Sequence, residues 1–125
     1  MDARLRQFVR QRANGGCEYC GLTQEQEPLL FHIEHIVPRQ HGGADNDENL
    51  ALACHHCNLR KGPNLAGLDP QTRKLTRLFH PRQDQWNEHF LRQTGEIIGT
   101  TEIGRATVHL LRMNQDGRKE LRGAK

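Results

Sequence analysis

The sequence contains no apolar run near the roughly 20 residues that a membrane-spanning helix needs. Its first residues, MDARLRQFVRQR, also lack the apolar stretch of a secretory leader. We therefore expect a cytoplasmic protein with no membrane partner, in a compartment that keeps thiols reduced. Hydrophobic residues are scarce as well, at 34% of the chain, which predicts a small core that a bound metal would help to stabilise.

The sequence shows no internal repeat and no linker long enough to separate two domains, so we expect residues 1–125 to form a single domain. Charged residues amount to 26%, an ordinary share that does not indicate a disordered chain. The formal net charge is only +3. This small excess permits a polyanionic partner but does not require one.

Four cysteines form two Cys-x2-Cys pairs, Cys17 with Cys20 and Cys54 with Cys57. Two thiolates at positions i and i+3 of a tight turn can face one ion. One such pair alone would equally suit a redox motif or two buried thiols, but two pairs in a reducing compartment favour zinc. The segment between the pairs is longer than the roughly 15–20 residues of a compact zinc ribbon, so it is expected to be folded.

Residues 31–62 carry a second set of polar side chains that suits catalysis. Glu34 and Asn58 offer hard oxygen donors, which suit Mg²⁺, Mn²⁺ or Ca²⁺ rather than zinc. His35 is the candidate proton acceptor because imidazole exchanges its proton near neutral pH. Its second ring nitrogen needs an orienting acceptor, typically a backbone carbonyl, and Asn49 is placed to fix the loop that supplies it.

The pattern of apolar residues predicts short elements around this set. A basic amphipathic helix is expected over residues 3–13, and a strand over residues 29–34. A return strand is expected over 50–53, followed by a helix from Cys57 through Lys61. The predicted arrangement is a β-hairpin with a long loop and a helix laid across it.

The second half of the chain is predicted to extend this core. Asp69 with the following proline indicates a helix that runs to about residue 79. Residues 92–100 indicate a hairpin about Gly95 with buried Ile97 and Ile98, and Thr101 is expected to cap a further helix. The final charged residues, 116–125, are expected to be frayed.

The order of motifs resembles that of the HNH endonucleases of the ββα-metal, or His-Me finger, fold in their zinc-knuckle subtype. These motifs are Cys-x2-Cys, Glu-His-Ile-x-Pro, Gly-Gly, Asn-Leu, Cys-x2-Cys-Asn and Lys-Gly, within residues 17–62. The remainder, 63–125, resembles the C-terminal extension of some bacterial, notably cyanobacterial, HNH proteins. The resemblance implies an α+β fold: a ββα-metal core with a four-cysteine structural zinc site, flanked by short helices, with a C-terminal hairpin and helix packed on it.

Residue by residue, the resemblance makes His35 the general base and Asn49 the residue that positions the base loop. It makes Glu34 and Asn58 the ligands of a catalytic Mg²⁺ or Mn²⁺ ion. Many family members have Asp where Glu34 stands. The structural zinc ligands would be Cys17, Cys20, Cys54 and Cys57. The residues flanking the site that are predicted to hold the nucleic-acid backbone are Arg39, Arg60 and Lys61.

The implied reaction is metal-dependent hydrolysis of DNA, double-stranded or branched, to 5′-phosphate and 3′-hydroxyl ends, with no small-molecule cofactor. The pattern implies no particular oligomeric state. The alternative is a catalytically silent zinc-bound nucleic-acid-binding module, and a thiol redox protein is a weaker third reading. A simple zinc ribbon needs neither the Glu34-His35 pair nor Asn58, so their joint presence favours the enzyme. His32, on the strand face of Glu34, is a rival ligand for the catalytic ion.

Overall fold

The computed structural model describes residues 1–123 and shows a mixed α+β protein built from short elements. The helices are α1 (Ala3–Arg12), α2 (His55–Lys61), α3 (Trp86–His89), α4 (Glu102–Leu111) and α5 (Arg118–Gly123). The strands are β1 (His32–His35), β2 (Leu50–Ala53), β3 (Ala66–Leu68), β4 (Leu75–Arg77), β5 (Phe90–Gln93) and β6 (Glu96–Gly99). They pair as antiparallel hairpins β1–β2, β3–β4 and β5–β6. Within residues 1–123, no helix has both the length and the apolar character to cross a membrane.

The hairpin of β1 and β2, followed directly by α2, forms the centre of the fold. His32 lies opposite Ala53, and His35 lies opposite Leu50. Every residue of β2 is buried, which places this hairpin in the core. Cys54 caps the start of α2, because its sulfur accepts a hydrogen bond from a backbone amide of the first helical turn. The predicted α+β fold class, with its ββα order, is confirmed.

The first strand is shorter than predicted, because it begins at His32 rather than Leu29. Leu29 and Leu30 are exposed, at 46% and 68%. The backbone amide of Leu29 donates to the side chain of Glu27 at 3.1 Å. Side-chain hydrogen bonds of this kind offer the backbone an alternative to strand pairing.

Helix α1 confirms the helix predicted over residues 3–13, and it ends one residue earlier. Asp2 caps its start by accepting from the backbone amide of Leu5 at 2.9 Å. Arg12 at its end donates to the carbonyl of Leu50 at 2.7 Å. This contact fixes the helix against the beginning of β2.

The helix predicted from Asp69 to about residue 79 was wrong, because this segment forms the turn and the second strand of the β3–β4 hairpin. Asp69 accepts hydrogen bonds from the Gln71 backbone amide and the Thr72 hydroxyl, both at 3.0 Å. These bonds close a turn instead of starting a helix. Arg105 on α4 makes a two-pronged contact with the Asp69 carboxylate, at 3.0 and 2.9 Å, and so holds the turn in place.

The hairpin predicted over 92–100 and the helix after it are both confirmed, as β5–β6 and α4. Ile97 is buried, whereas Ile98 is only partly buried. The Thr101 hydroxyl accepts a hydrogen bond from a backbone amide in the first turn of α4 at 3.0 Å. Local signals therefore sufficed for these elements, because a turn and a cap define them.

The fraying predicted for residues 116–125 was wrong over the part that forms α5. Residues 124 and 125 lie outside the described chain. Arg118 and Arg122 are fully buried on α5 and donate to carbonyls at the end of α4. Arg118, for example, lies 2.7 Å from the Leu111 carbonyl. A helix end leaves its last carbonyls without helical partners, and a guanidinium has enough donors to satisfy several of them.

Candidate metal centre and active site

The four cysteines form one buried cage between the turn after α1 and the start of α2. Their sulfur atoms all lie within 4.8 Å of one another. The Cys20 and Cys54 sulfurs are 3.8 Å apart. Two sulfurs at about 2.3 Å from a tetrahedral zinc ion would be about 3.8 Å apart. The donor set and its spacing thus fit zinc, and the cysteines positioned to bind it are those predicted: Cys17, Cys20, Cys54 and Cys57.

The pKa values of the four cysteine thiols also favour a bound cation in the cage. Burial raises the pKa of the Cys17 and Cys57 thiols well above the ordinary value. Hydrogen bonds from neighbouring cysteines, chiefly Cys17, lower the pKa of Cys20 and Cys54. Four thiolates so close together repel one another, so a bound cation is needed to keep all four ionised.

Glu34 lies on the hairpin face that meets α2, and its carboxylate is buried. One oxygen accepts a hydrogen bond from the Tyr19 hydroxyl at 2.7 Å, and the other lies 2.6 Å from Lys61 Nζ. Burial raises the pKa of Glu34, and the Lys61 ammonium opposes that rise. Both oxygens of this buried carboxylate are therefore engaged by protein groups, one of which carries a positive charge.

Asn58 lies on α2 between two residues that contact β1. His55, Asn58 and Lys61 recur every three residues, so they share one side of the helix. The first of them contacts His32, and the last contacts Glu34. Asn58 lies between these contacts along the helix. The predicted metal ligands Glu34 and Asn58 thus lie on two neighbouring elements, β1 and α2.

His35 lies at the end of β1 and contacts a carboxylate from the following loop. Its Nε2 is 2.6 Å from Asp45 Oδ1. Arg39 donates two hydrogen bonds to the same carboxylate, at 3.1 and 2.9 Å. These bonds, with that from His35, lower the pKa of Asp45 to about 2, so this carboxylate is ionised at neutral pH. The acceptor for His35 is thus a side-chain carboxylate and not the backbone carbonyl that was expected.

Asn49 joins the two ends of the loop that carries Asp45. Its side chain accepts from the Val37 backbone amide at 2.9 Å and donates to the carbonyls of Val37 and Ala44 at 3.0 and 2.9 Å. Gly43 permits this closure, because a Cβ atom there would lie 1.7 Å from the Val37 carbonyl oxygen. These hydrogen bonds hold the loop closed beside His35.

Residues 17–64 match the family model described as HNH endonuclease. These residues form an HNH endonuclease domain. In addition, 62 residues of the chain are 29% identical to the type IV methyl-directed restriction enzyme EcoKMcrA of Escherichia coli (strain K12). This alignment covers 46% of the chain and 22% of that relative, so the chain spans about a fifth of the relative's length.

The three cations predicted to hold a nucleic-acid backbone occupy different settings in and beside the HNH domain. Arg39 is 64% exposed while it contacts Asp45. Arg60 is partly exposed and pairs with Asp116 at 3.1 Å. Lys61 is only 2% exposed and donates to the carbonyl of Ile36 at 2.9 Å, besides its contact with Glu34. Lys61 therefore lies inside the domain rather than at its surface.

Three residues that contact the HNH site were absent from the sequence prediction: Tyr19 beside Glu34, Asp45 beside His35, and Arg118 beside the cysteine cage. Arg118 places Nη1 at 3.0 Å from the Cys57 sulfur and 3.8 Å from the Cys54 sulfur. Burial disfavours its charge, but the cysteine thiolates outweigh this and raise its pKa. The available signal was the spacing of Arg118 and Arg122, which puts both arginines on one face of a helix.

Proposed function

We propose that the HNH domain is a metal-dependent endonuclease that hydrolyses DNA, double-stranded or branched, to 5′-phosphate and 3′-hydroxyl ends. The family match and the similarity to a restriction enzyme support a nuclease in general. The observation that carries the finer proposal is the 2.6 Å contact between His35 Nε2 and the Asp45 carboxylate. This contact prepares His35 to act as a general base.

The ionised state of the Asp45 carboxylate determines which ring nitrogen of His35 is free to accept a proton. An ionised carboxylate can only accept hydrogen bonds, so the ring proton of His35 belongs on Nε2. Nδ1 then carries the free electron pair that takes a proton from the attacking water. Asp45 stabilises the positive charge that develops on the ring, as the aspartate of a catalytic triad does.

We assign the catalytic Mg²⁺ or Mn²⁺ ion to Glu34 and Asn58, and the structural Zn²⁺ ion to the four cysteines. The chemistry that the catalytic ion supplies is neutralisation of charge on the phosphate and on the departing 3′ oxygen. Glu34 fits this role because its carboxylate lies beside His35 in sequence and pairs with a cation, Lys61. Release of Glu34 by Lys61 would accompany metal binding.

We further propose that residues 1–125 act as one domain, in which 63–125 is packed on the core of 17–62. Supporting contacts are the hydrogen bond from Trp86 Nε1 to the Tyr19 carbonyl, at 2.8 Å, and the approach of Arg118 to the zinc cage. Arg39 and Arg60 are the proposed contacts to the DNA backbone, because both reach the surface beside the site. For Lys61 its buried position favours a role at Glu34 instead.

A catalytically silent, zinc-bound nucleic-acid-binding module is the second candidate. One observation favours it: both oxygens of Glu34 already have protein partners, Tyr19 and Lys61. If these partners never release the carboxylate, the domain would bind DNA without cleaving it. The presence of His35 and Asp45 in contact favours the nuclease, since a binding module has no need of a base.

The test is plasmid nicking with Mg²⁺ or Mn²⁺ by the zinc-loaded wild type and by His35→Ala. We expect the variant to lose about 10²–10⁴-fold in rate, because a general base contributes about that much. Zinc content and gel shift of the plasmid should be unchanged. His109→Ala, an exposed histidine on α4, is the control and should retain activity. If wild type and His35→Ala both shift the plasmid and leave it intact, the binding module is the correct function.

A further inference from the structure

His32 and His55 face each other across the interface of β1 and α2, apart from the residues assigned to zinc and to the catalytic ion. His32 Nε2 lies 3.3 Å from His55 Nδ1, with the ring centroids 5.5 Å apart. Two nitrogens bound at about 2.0–2.1 Å to one tetrahedral ion lie about 3.3–3.4 Å apart. The observed separation is that of a hydrogen bond between two ring nitrogens, and it also fits two neighbouring ligands of a single ion. Both side chains are partly exposed, so an ion can reach them from solvent.

The backbone holds both histidines in fixed positions. His55 directly follows Cys54, which belongs to the zinc cage. His32 pairs with Ala53 in the β1–β2 ladder, and Ala53 directly precedes Cys54. Two ligands anchored beside a rigid metal cage need little ordering when they bind an ion. Their neighbour His56 is engaged elsewhere, at 3.2 Å from Glu27.

We propose that His32 and His55 form a further metal site, which takes a borderline divalent transition metal such as Ni²⁺, Co²⁺ or Zn²⁺. Imidazole nitrogens suit these ions, whereas the oxygen donors of Glu34 and Asn58 suit Mg²⁺ and Mn²⁺. Water completes the coordination, because the site is open to solvent. The site goes beyond the proposed nuclease function and does not depend on it, since it is defined by metal binding alone.

Calorimetric titration of the zinc-loaded protein with NiCl₂ tests this site in the absence of DNA. The wild type should bind one equivalent of nickel in addition to its zinc. His32→Ala and His55→Ala should each bind no nickel at the concentrations that fill the wild-type site. The matched control is His109→Ala, which removes an exposed histidine and should bind nickel as the wild type does. Glu34→Gln is a separate diagnostic variant, because it changes the proposed catalytic ligand and loses nickel only if the ion lies there.

A second measurement on the wild type guards against variants that fail to fold. Bound Ni²⁺ is paramagnetic, so it should broaden the imidazole NMR signals of His32 and His55 before those of the other histidines. The proposal is overturned if nickel binding survives in both alanine variants, or if the signals of these two histidines stay sharp. It is also overturned if Glu34→Gln alone abolishes binding, because the ion would then lie at the carboxylate.

Discussion

Asp45 gives His35 its proposed chemistry, although it lies ten positions further along the chain. Hydrogen bonds from Arg39, and next from His35, keep this carboxylate ionised by lowering its pKa to about 2. The carboxylate of Asp45 is therefore ionised at neutral pH, and its charge is lost only in strong acid, as the pH falls through that value. An ionised partner fixes both the tautomer and the orientation of the histidine ring.

Asp45→Asn should lower the rate of DNA cleavage about 10- to 100-fold while DNA affinity stays unchanged. The amide can still contact the ring but cannot stabilise its positive charge. A buried triad aspartate is worth about 10⁴-fold, and we expect less here because Asp45 is 38% exposed. Single-turnover cleavage measures the effect, with Asp47→Asn in the same loop as the control. Equal rates for wild type and Asp45→Asn would show that Asp45 has no part in the reaction.

Residue type and spacing identified the cysteine cage and placed Glu34, His35, Asn49 and Asn58 in one segment. The cage was predictable because two Cys-x2-Cys pairs have few other uses in a reducing compartment. The partner of His35 was not predictable, because the loop offers several acidic residues and folding selects one. The burial of Lys61 was equally hidden, since its sequence neighbours are polar.

At the scale of elements, the site depends on side-chain contacts between β1 and α2. It also depends on α5, which contacts the cysteine cage through Arg118. Glu34 pairs with Lys61 near one end of the interface, and His32 contacts His55 near the other. Arg118 on α5 joins the cage to the end of α4. A positive charge beside a zinc site with four thiolates offsets its excess negative charge.

Arg118→Met should release zinc to a competing chelator about 10-fold faster than the wild type. The substitution keeps the volume of the side chain but removes the donors that contact Cys57 and the carbonyls of α4. Loss of such an outer partner typically costs about 10- to 100-fold in metal affinity. Lys119→Met on the exposed side of the same helix is the matched control. Identical release from all three proteins would mean that α5 does not support the cage.

Elements with strong local signals were predicted correctly, and those defined by distant contacts were not. The β5–β6 hairpin and α4 have a turn and a Thr101 cap within their own residues. The β3–β4 hairpin depends on Arg105, which lies far along the chain from Asp69. Helix α5 has a charged sequence typical of an exposed end, yet two of its arginines are buried because α4 supplies acceptors.

For the whole molecule, a zinc ion in the cysteine cage would join distant parts of the chain and add to the stability of a small core. The cage ties the turn after α1 to the start of α2, and the intervening segment carries the candidate site. Binding by four thiolates contributes on the order of 10 kcal/mol to folding. Residues 63–125 add to this stability by contacting the turn that carries Cys17 and Cys20. Trp86, for instance, donates a hydrogen bond to the Tyr19 carbonyl in that turn.

The central claim is that this zinc-held fold presents Glu34, Asn58 and His35 to one catalytic ion and one phosphate. Anomalous X-ray diffraction from a crystal of the zinc-loaded protein soaked in Mn²⁺ tests it most directly. We expect a zinc peak among the four cysteine sulfurs and a manganese peak bound to the Glu34 carboxylate and the Asn58 amide oxygen, with Lys61 displaced. A crystal in which Lys61 still holds Glu34 and no manganese lies between β1 and α2 would contradict the account.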